Sequence, residues 1–279
     1  MPMLSRRGLA SASALLSAPF ILSRAARADA PADTLAKIKS AGKLLAGVRF
    51  DFPPVGTVDA SGKPIGFGAE LAKLFAQKLG VEVEYVQVTS SNRFVLLQNG
   101  GIDADIGPTT PTVKREEVVD FSIPYVWDTV VLIVKKDASG DVKAYAPPRH
   151  VATTQGSLTA DYVKEQVPNA DFVYFQEYPD AISALLSGRV DAVSTNGFTA
   201  PSFTARSPEL KAGVPFFRDP WAISVRPDDS KWRHFLNVTM QELWLKGTYQ
   251  ELYQRTLGAA PDFHMWSEFR LQPGIGASS

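Results

Sequence analysis

The chain has 279 residues, 45% hydrophobic and 21% charged, with 29 basic side chains set against 29 acidic ones. It can bury one large core or two modest ones, and its charge balance excludes the strongly basic class that binds nucleic acid or anionic membranes. It contains no cysteine, which excludes disulfides, a thiol nucleophile, a thiolate metal site and a lipid-anchored N-terminal Cys.

Residues 1–28 read as a signal peptide. Arg6 and Arg7 precede an apolar run from Leu9 to Leu22, and Ala26-Arg27-Ala28 is a small-x-small cleavage site. The run is about 14 residues, whereas a bilayer span needs about 20. Ser5-Arg6-Arg7-Gly8-Leu9, with Arg24 and Arg27 near the cleavage site, resembles a twin-arginine export signal; an ordinary n-region with two arginines is the alternative. Cleavage near Ala28 removes four arginines and no acid, leaving 25 basic against 29 acidic groups, a net charge of −4. The expected location is the periplasm.

In the mature chain, Asp33 is a candidate N-cap for a helix through Ser40 with Gly42 as its stop, and Leu44 to Phe50 reads as a buried strand. Leu71, Leu74, Phe75, Lys78 and Leu79 form the stripe of an amphipathic helix closed by Gly80. Val81 to Val88 alternates as a strand, Asn92 can cap a helix from Arg93, and Ile102 to Ile106 is the next strand. This βαβαβ order implies a parallel sheet whose ligands lie beyond the strands' carboxyl ends, where Pro108, Thr109 and Thr110 stand. A guanidinium five residues beyond Thr110, on Arg115, can donate two parallel hydrogen bonds to a small carboxylate, with Thr110 adding a rotatable donor.

The pattern then restarts with strands at Val151–Thr154, Phe172–Phe175 and Val190–Ser194 and helices from about Thr159 and Pro179. Gly100-x-Ile102-Asp103-Ala104 has an echo in Gly188-x-Val190-Asp191-Ala192, so two related lobes are expected, with both aspartates as turn residues rather than ligands. The apolar runs Val130–Lys136 and Ala222–Arg226 predict two crossings between the lobes, hence a two-strand hinge near 125–131 and 220–226. Predicted boundaries are 29–127 plus 224–279 for lobe 1 and 128–223 for lobe 2. The helix from Ser230 should pack on lobe 1, and the tail after about Pro261 should lie on the surface or move. Gln155-Gly156-Ser157-Leu158-Thr159 opens a second-lobe helix, whose backbone N–H groups make a natural anion site.

Taken in order, DTLAKIKSAGKLLAGV, GKPIGFGAELAKLFAQKLG, SSNRFVLLQNGGID, GIDADIGPTTPTVKREEVVDFSIPY, ALLSGRVDAV and LKGTYQELYQRTLG resemble the amino-acid class of solute-binding proteins, the capture subunits of ABC importers, over nearly all the chain after residue 32. The resemblance implies an α/β, two-lobed type II periplasmic binding protein, each lobe a mainly parallel sheet flanked by helices. It implies a monomer that serves an ABC permease and has no cofactor, metal or catalytic residue of its own. It places Arg49, Phe52, Ser90, Pro108, Thr109, Thr110, Arg115, Ser157, Leu158, Thr159, Thr195 and Asn196 around the ligand. Phe52 matches an aromatic that stacks on the ligand; a core Phe under a loop is the alternative.

The chain departs from that family's pattern at several positions. Arg49 stands where an Asp is frequent, Gly68 where an acid is usual, Leu158 where a Thr or Gly is common, and Asn196 where an Asp normally accepts from the ligand's α-ammonium. Arg49, Arg115 and Asn196 favour an anionic guest, so the expected ligand is an acidic or polar amino acid, with a keto acid or dicarboxylate as the rival and Asp51 able to restore negative charge. His150, His234 and His264 lack metal-ligand spacing and no nucleophile motif appears. A prephenate or arogenate dehydratase on this fold needs a cleft carboxyl as general acid. Asn196 removes one candidate, and Glu177 could supply another.

Overall fold

The computed structural model describes residues 33–263; the predicted export signal, His264 and the chain beyond it lie outside the described residues. The first run of elements is α1 (Thr34–Ala41), β1 (Lys43–Val48), β2 (Asp51–Phe52), β3 (Gly56–Val58), β4 (Pro64–Ile65), α2 (Phe67–Leu79), β5 (Glu82–Gln87), α3 (Arg93–Gln98), β6 (Ala104–Asp105), α4 (Val113–Glu116) and β7 (Asp120–Lys135). The second is β8 (His150–Thr154), α5 (Thr159–Gln166), β9 (Asp171–Phe175), α6 (Tyr178–Leu186), β10 (Ala192–Asn196), α7 (Ala200–Thr204), β11 (Leu210–Ala212), β12 (Phe217–Val225), α8 (Ser230–Leu245) and α9 (Thr248–Leu257).

Local chemistry sets several of these boundaries. Asp33 Oδ1 accepts from the Ala36 N–H at 2.9 Å and caps α1, while Gly42 and Gly80 end α1 and α2 in the left-handed conformation. Asn92 behaves differently from its predicted role: its side chain makes no cap bond, and Oδ1 instead accepts from the Thr89 N–H at 2.8 Å, tightening the turn before α3. Gly68 has a packing reason, since a Cβ there would lie 2.5 Å from the Ile106 carbonyl oxygen, so α2 can rest on the end of β6 only without a side chain.

The main sheet runs β5-β1-β6-β12-β7-β10-β8-β9, with β11 added on β7, and β2-β3-β4 form a small second sheet. β1 pairs parallel with β5 and β6, and β8 pairs parallel with β9 and β10. Within the main sheet the two parallel halves are joined through the antiparallel neighbours β12 and β7. β7 is 16 residues long, so one continuous strand carries the chain from the first half into the second, and β12 brings it back.

The echoed aspartates behave alike. Asp103 accepts from the Leu45 N–H at 3.0 Å while its own N–H donates to the Leu45 carbonyl; Asp191 accepts from the His150 N–H at 2.8 Å and returns a bond to the His150 carbonyl. Each pins a strand start to its parallel neighbour, as turn residues do. The core under the first half gathers Phe67, Phe75, Tyr125, Trp232, Tyr249 and Tyr253. The Trp232 indole donates to the Asp103 carbonyl at 2.9 Å, and the Tyr125 hydroxyl donates to the Gly107 carbonyl at 2.8 Å. α8 therefore packs where the sequence places it.

Candidate functional site

β6 ends in a buried carboxylate that shapes the loop after it. Asp105 accepts from Thr109 Oγ1 at 2.7 Å, from Ser224 Oγ at 2.9 Å and from the Gly107 N–H at 3.2 Å. The loop so held presents Pro108 and Thr110 to a small cavity of about 20 Å3, room for about one water. From the first half the cavity is also lined by Ser90, Arg93 and Arg115, and from the second by Ser157, Leu158 and Thr159 at the start of α5. Asn196 at the end of β10 and Asp219 on β12 complete it.

Arg115 leaves α4 and spans the cleft. Its Nη1 donates to the Thr110 carbonyl at 2.9 Å, its Nη2 donates to the Gly156 carbonyl at 3.0 Å, and its guanidinium lies 5.6 Å from the Phe94 ring centre. Arg93, whose guanidinium lies 5.2 Å from the same ring centre, donates through Nη1 to Thr109 Oγ1 at 2.7 Å and to the Pro108 carbonyl at 3.2 Å. Its Nε is buried without a hydrogen-bond partner. Burial and the neighbouring Arg115 charge push Arg93 down to about 9, and burial also lowers Arg115; the guanidinium remains the charged form at neutral pH.

Opposite these cations sits Asp219, 3% exposed. Its Oδ1 accepts from Thr110 Oγ1 at 2.7 Å and from the Tyr162 hydroxyl at 3.4 Å, and its Oδ2 accepts from Asn196 Nδ2 at 2.8 Å and from the Trp221 indole at 3.0 Å. Burial raises its pKa against the pull of these donors. The α5 turn is closed by its own hydroxyls: Thr159 Oγ1 lies 2.6 Å from Thr153 Oγ1 and 3.1 Å from Ser157 Oγ, which accepts from the Thr159 N–H at 3.3 Å. Leu158 occupies the N-cap position with no side-chain cap bond, so that corner of the cavity offers backbone N–H groups.

Eight of the twelve residues expected around a ligand thus come together: Ser90, Pro108, Thr110, Arg115, Ser157, Leu158, Thr159 and Asn196. Four do not line the cavity. Arg49 turns its fork onto Asp51, with Nε and Nη2 each 2.7 Å from a carboxylate oxygen, and gives Nη1 to Ser90 Oγ at 2.9 Å. Asp51 is thereby neutralised and also accepts from the Tyr178 N–H, so it supplies no free charge to the cleft. Phe52 takes the alternative role of core aromatic, packing on Tyr178 and Trp221 with ring centres 5.2 and 6.2 Å away. Thr109 is fully buried between Asp105 and Arg93, and Thr195 Oγ1 is buried without a partner. Glu177 pairs with Gln87 at 2.8 Å in an exposed contact and is no cleft acid.

Sequence reasoning missed Arg93 and Asp219. Arg93 lies within a quoted motif, one residue past a predicted cap, where a helix-surface arginine is the ordinary expectation. Asp219 gives no local signal, because it stands beside Arg218 between two phenylalanines and Pro220, with no motif around it.

Residues 44–259 match the model of the bacterial extracellular solute-binding proteins, family 3, and the chain belongs to that family. It is 32% identical over 235 residues to the ABC transporter glutamine-binding protein GlnH of Bacillus subtilis (strain 168), covering 82% of this chain and 86% of that one. Among solved structures it resembles the P235GK mutant of ArgBP from T. maritima, with a TM-score of 0.75 and 32% identity over 81% of this chain and 100% of that one. It also resembles AncCDT-1, an ancestral amino acid-binding protein described as a precursor of cyclohexadienyl dehydratase, with a TM-score of 0.75 and 30% identity over 80% and 99% of the two chains. The fold is the type II, two-lobed arrangement of those amino-acid-binding proteins, and the role in amino-acid ABC transport follows from the family.

Proposed function

We propose that this chain captures a small acidic or polar L-amino acid in the cavity between its halves and presents the closed, loaded form to an ABC permease. The observation that carries this reading is the charge content of the cavity, whose lining combines Arg115 and Arg93 with Asp219 and Asn196. Arg115 takes the ligand's carboxylate, helped by Thr110 and by the backbone N–H groups at the start of α5. Arg93, with an unpaired buried Nε, meets a polar or acidic side-chain tip, because an apolar tip would leave that donor unsatisfied. The similarity to a glutamine-binding protein supports a guest of this size and polarity.

The lobes are assigned as 29–127 plus 224–279 and 128–223, with their boundaries inside β7 and β12. A differential scanning fluorimetry screen of amino acids, keto acids and dicarboxylates tests the reading, since a ligand at about 100 times its dissociation constant adds about 2.7 kcal/mol of stability. Glutamine, glutamate or a similarly polar amino acid should raise the melting temperature; a response confined to apolar amino acids, or to none, sinks it.

A second reading, a prephenate- or arogenate-dehydratase-like enzyme, is favoured by one observation, a cavity carboxyl held toward its protonated form on Asp219. Incubation with prephenate and with arogenate, followed by chromatography of the aromatic products, decides between the two.

A further inference from the structure

Asp219 has the burial of a core residue and the surroundings of a binding group. It is 3% exposed, yet all four of its hydrogen-bond donors, from Thr110, Tyr162, Asn196 and Trp221, are neutral. A carboxylate taken out of water is costly unless a cation compensates it. The nearby guanidiniums make no hydrogen bond to it: Arg115 donates to the Thr110 and Gly156 carbonyls, and Arg93 to Thr109 and the Pro108 carbonyl. The acid therefore faces the cavity from β12 fully hydrogen-bonded but in no direct ion pair, and the Arg115 charge that lowers its pKa does not outweigh its burial.

We infer that Asp219 is the acceptor for the ligand's α-ammonium and the residue that makes the site select amino acids over the matching carboxylates without nitrogen, with Asn196 positioning it. This rests on the proposed capture of an amino acid. Asn196 cannot neutralise an ammonium, but its Nδ2, 2.8 Å from Asp219 Oδ2, holds the carboxylate toward the end of β10 that borders the cavity. Thr110 links the two ends of the ligand site. Its hydroxyl donates to Asp219 at 2.7 Å and can rotate to the guest's carboxylate once an ammonium has taken its place. The raised pKa of Asp219 agrees with this arrangement, since a cation delivered to the site favours the ionised form and releases the proton.

The test uses the mature chain and a panel of L-amino acids, each paired with its 2-oxo counterpart, read by calorimetry. Wild type should bind an amino acid and discriminate against the 2-oxo form. Asp219→Asn should weaken the amino acid at least about thirty-fold, the effect of removing one partner of a buried charge pair, while leaving the 2-oxo acid as weak as before or tighter. Moving the charge back with Asp219→Asn plus Asn196→Asp should recover amino-acid affinity to within about ten-fold of wild type, which a merely structural role for Asp219 would not allow. If Asp219→Asn does not fold by its thermal melt, the charge-swapped variant carries the comparison. Unchanged amino-acid affinity in folded Asp219→Asn, no recovery in the swapped variant, or equal wild-type affinity for the 2-oxo acid overturns the inference while leaving amino-acid capture intact. Failure of wild type to bind any amino acid overturns both.

Discussion

Arg115 matters through what its five donors reach. In the closed cleft they reach the Thr110 carbonyl on one side and the Gly156 carbonyl on the other, and a bound carboxylate competes for the same fork. Arg115→Ala should leave the fold intact and weaken ligand binding by about 2–4 kcal/mol, because it strips a charge-assisted pair from a desolvated site; unchanged affinity in calorimetry removes Arg115 from the site. Asp128 is the other informative residue. It sits directly opposite Asp219 on the β7–β12 ladder, and burial pushes it up to about 8 from an ordinary 3.8, although the Thr129 and Phe198 N–H groups favour its ionised form. The folded chain then holds a proton that the unfolded chain releases above about pH 4, so this group's stabilisation is fully present below that pH and is lost as pH rises toward 8. Asp128→Asn should flatten the fall in stability between pH 5 and pH 8; equal slopes for variant and wild type in urea melts at the two pH values contradict the assignment.

Among the elements, the turn before α5 decides how closely the halves approach. Gly156 has φ +81°, and a Cβ there would lie 2.6 Å from the Ser90 carbonyl oxygen across the cleft. Only glycine combines that backbone conformation with that contact. Gly156→Ala should cost about 1–2 kcal/mol of stability from the left-handed conformation alone, and it should also weaken ligand binding by preventing full closure. A variant with the expected loss in its melt but wild-type affinity shows that closure does not depend on this contact. The paired turns at Asp103 and Asp191 show the same economy in both halves, with one carboxylate tying a loop to the neighbouring strand.

At the scale of the molecule, the two halves share β7 and β12 as continuous sheet, pack Phe52 on Tyr178, and touch further through a rim of polar contacts. These include Arg115 with Gly156, Gln87 with Glu177, Ser91 with Gln176, and Thr199 with the Pro53 carbonyl. Exposed or partly exposed polar pairs of this kind are each worth little against water, so they do not hold the cleft shut on their own. In the proposed hinge closure, the ligand shifts the balance only through contacts that exist in the closed form and not in the open one. Small-angle scattering should therefore give a smaller radius of gyration with the bound amino acid than without it. Tight binding with no change in scattering, and with no change in hydrogen exchange across residues 125–131 and 220–226, contradicts hinge closure.

The order of elements was legible in the residues themselves, because apolar periodicity, Asp33 and the glycines after α1 and α2 are local signals. So was half of the site, since the Thr110 and Arg115 spacing and the Gly156–Thr159 turn each lie on one short stretch of chain. Arg49 and Asp51 show where local reading stops: two residues apart in sequence, they are seen to neutralise each other only when β1 and β2 are in place. Asp219 is the extreme case, meeting Thr110 across 109 positions and Asn196 across 23. Its place depends on how β12 registers against β7, and a long-range register depends on packing that no local stretch contains. The sequence by itself determined the family and the two-part α/β plan, and it singled out Arg115 as the cation proposed to meet a carboxylate. Only the tertiary structure decided which acid faces that cation, because the acid arrives on the strand that brings the chain back.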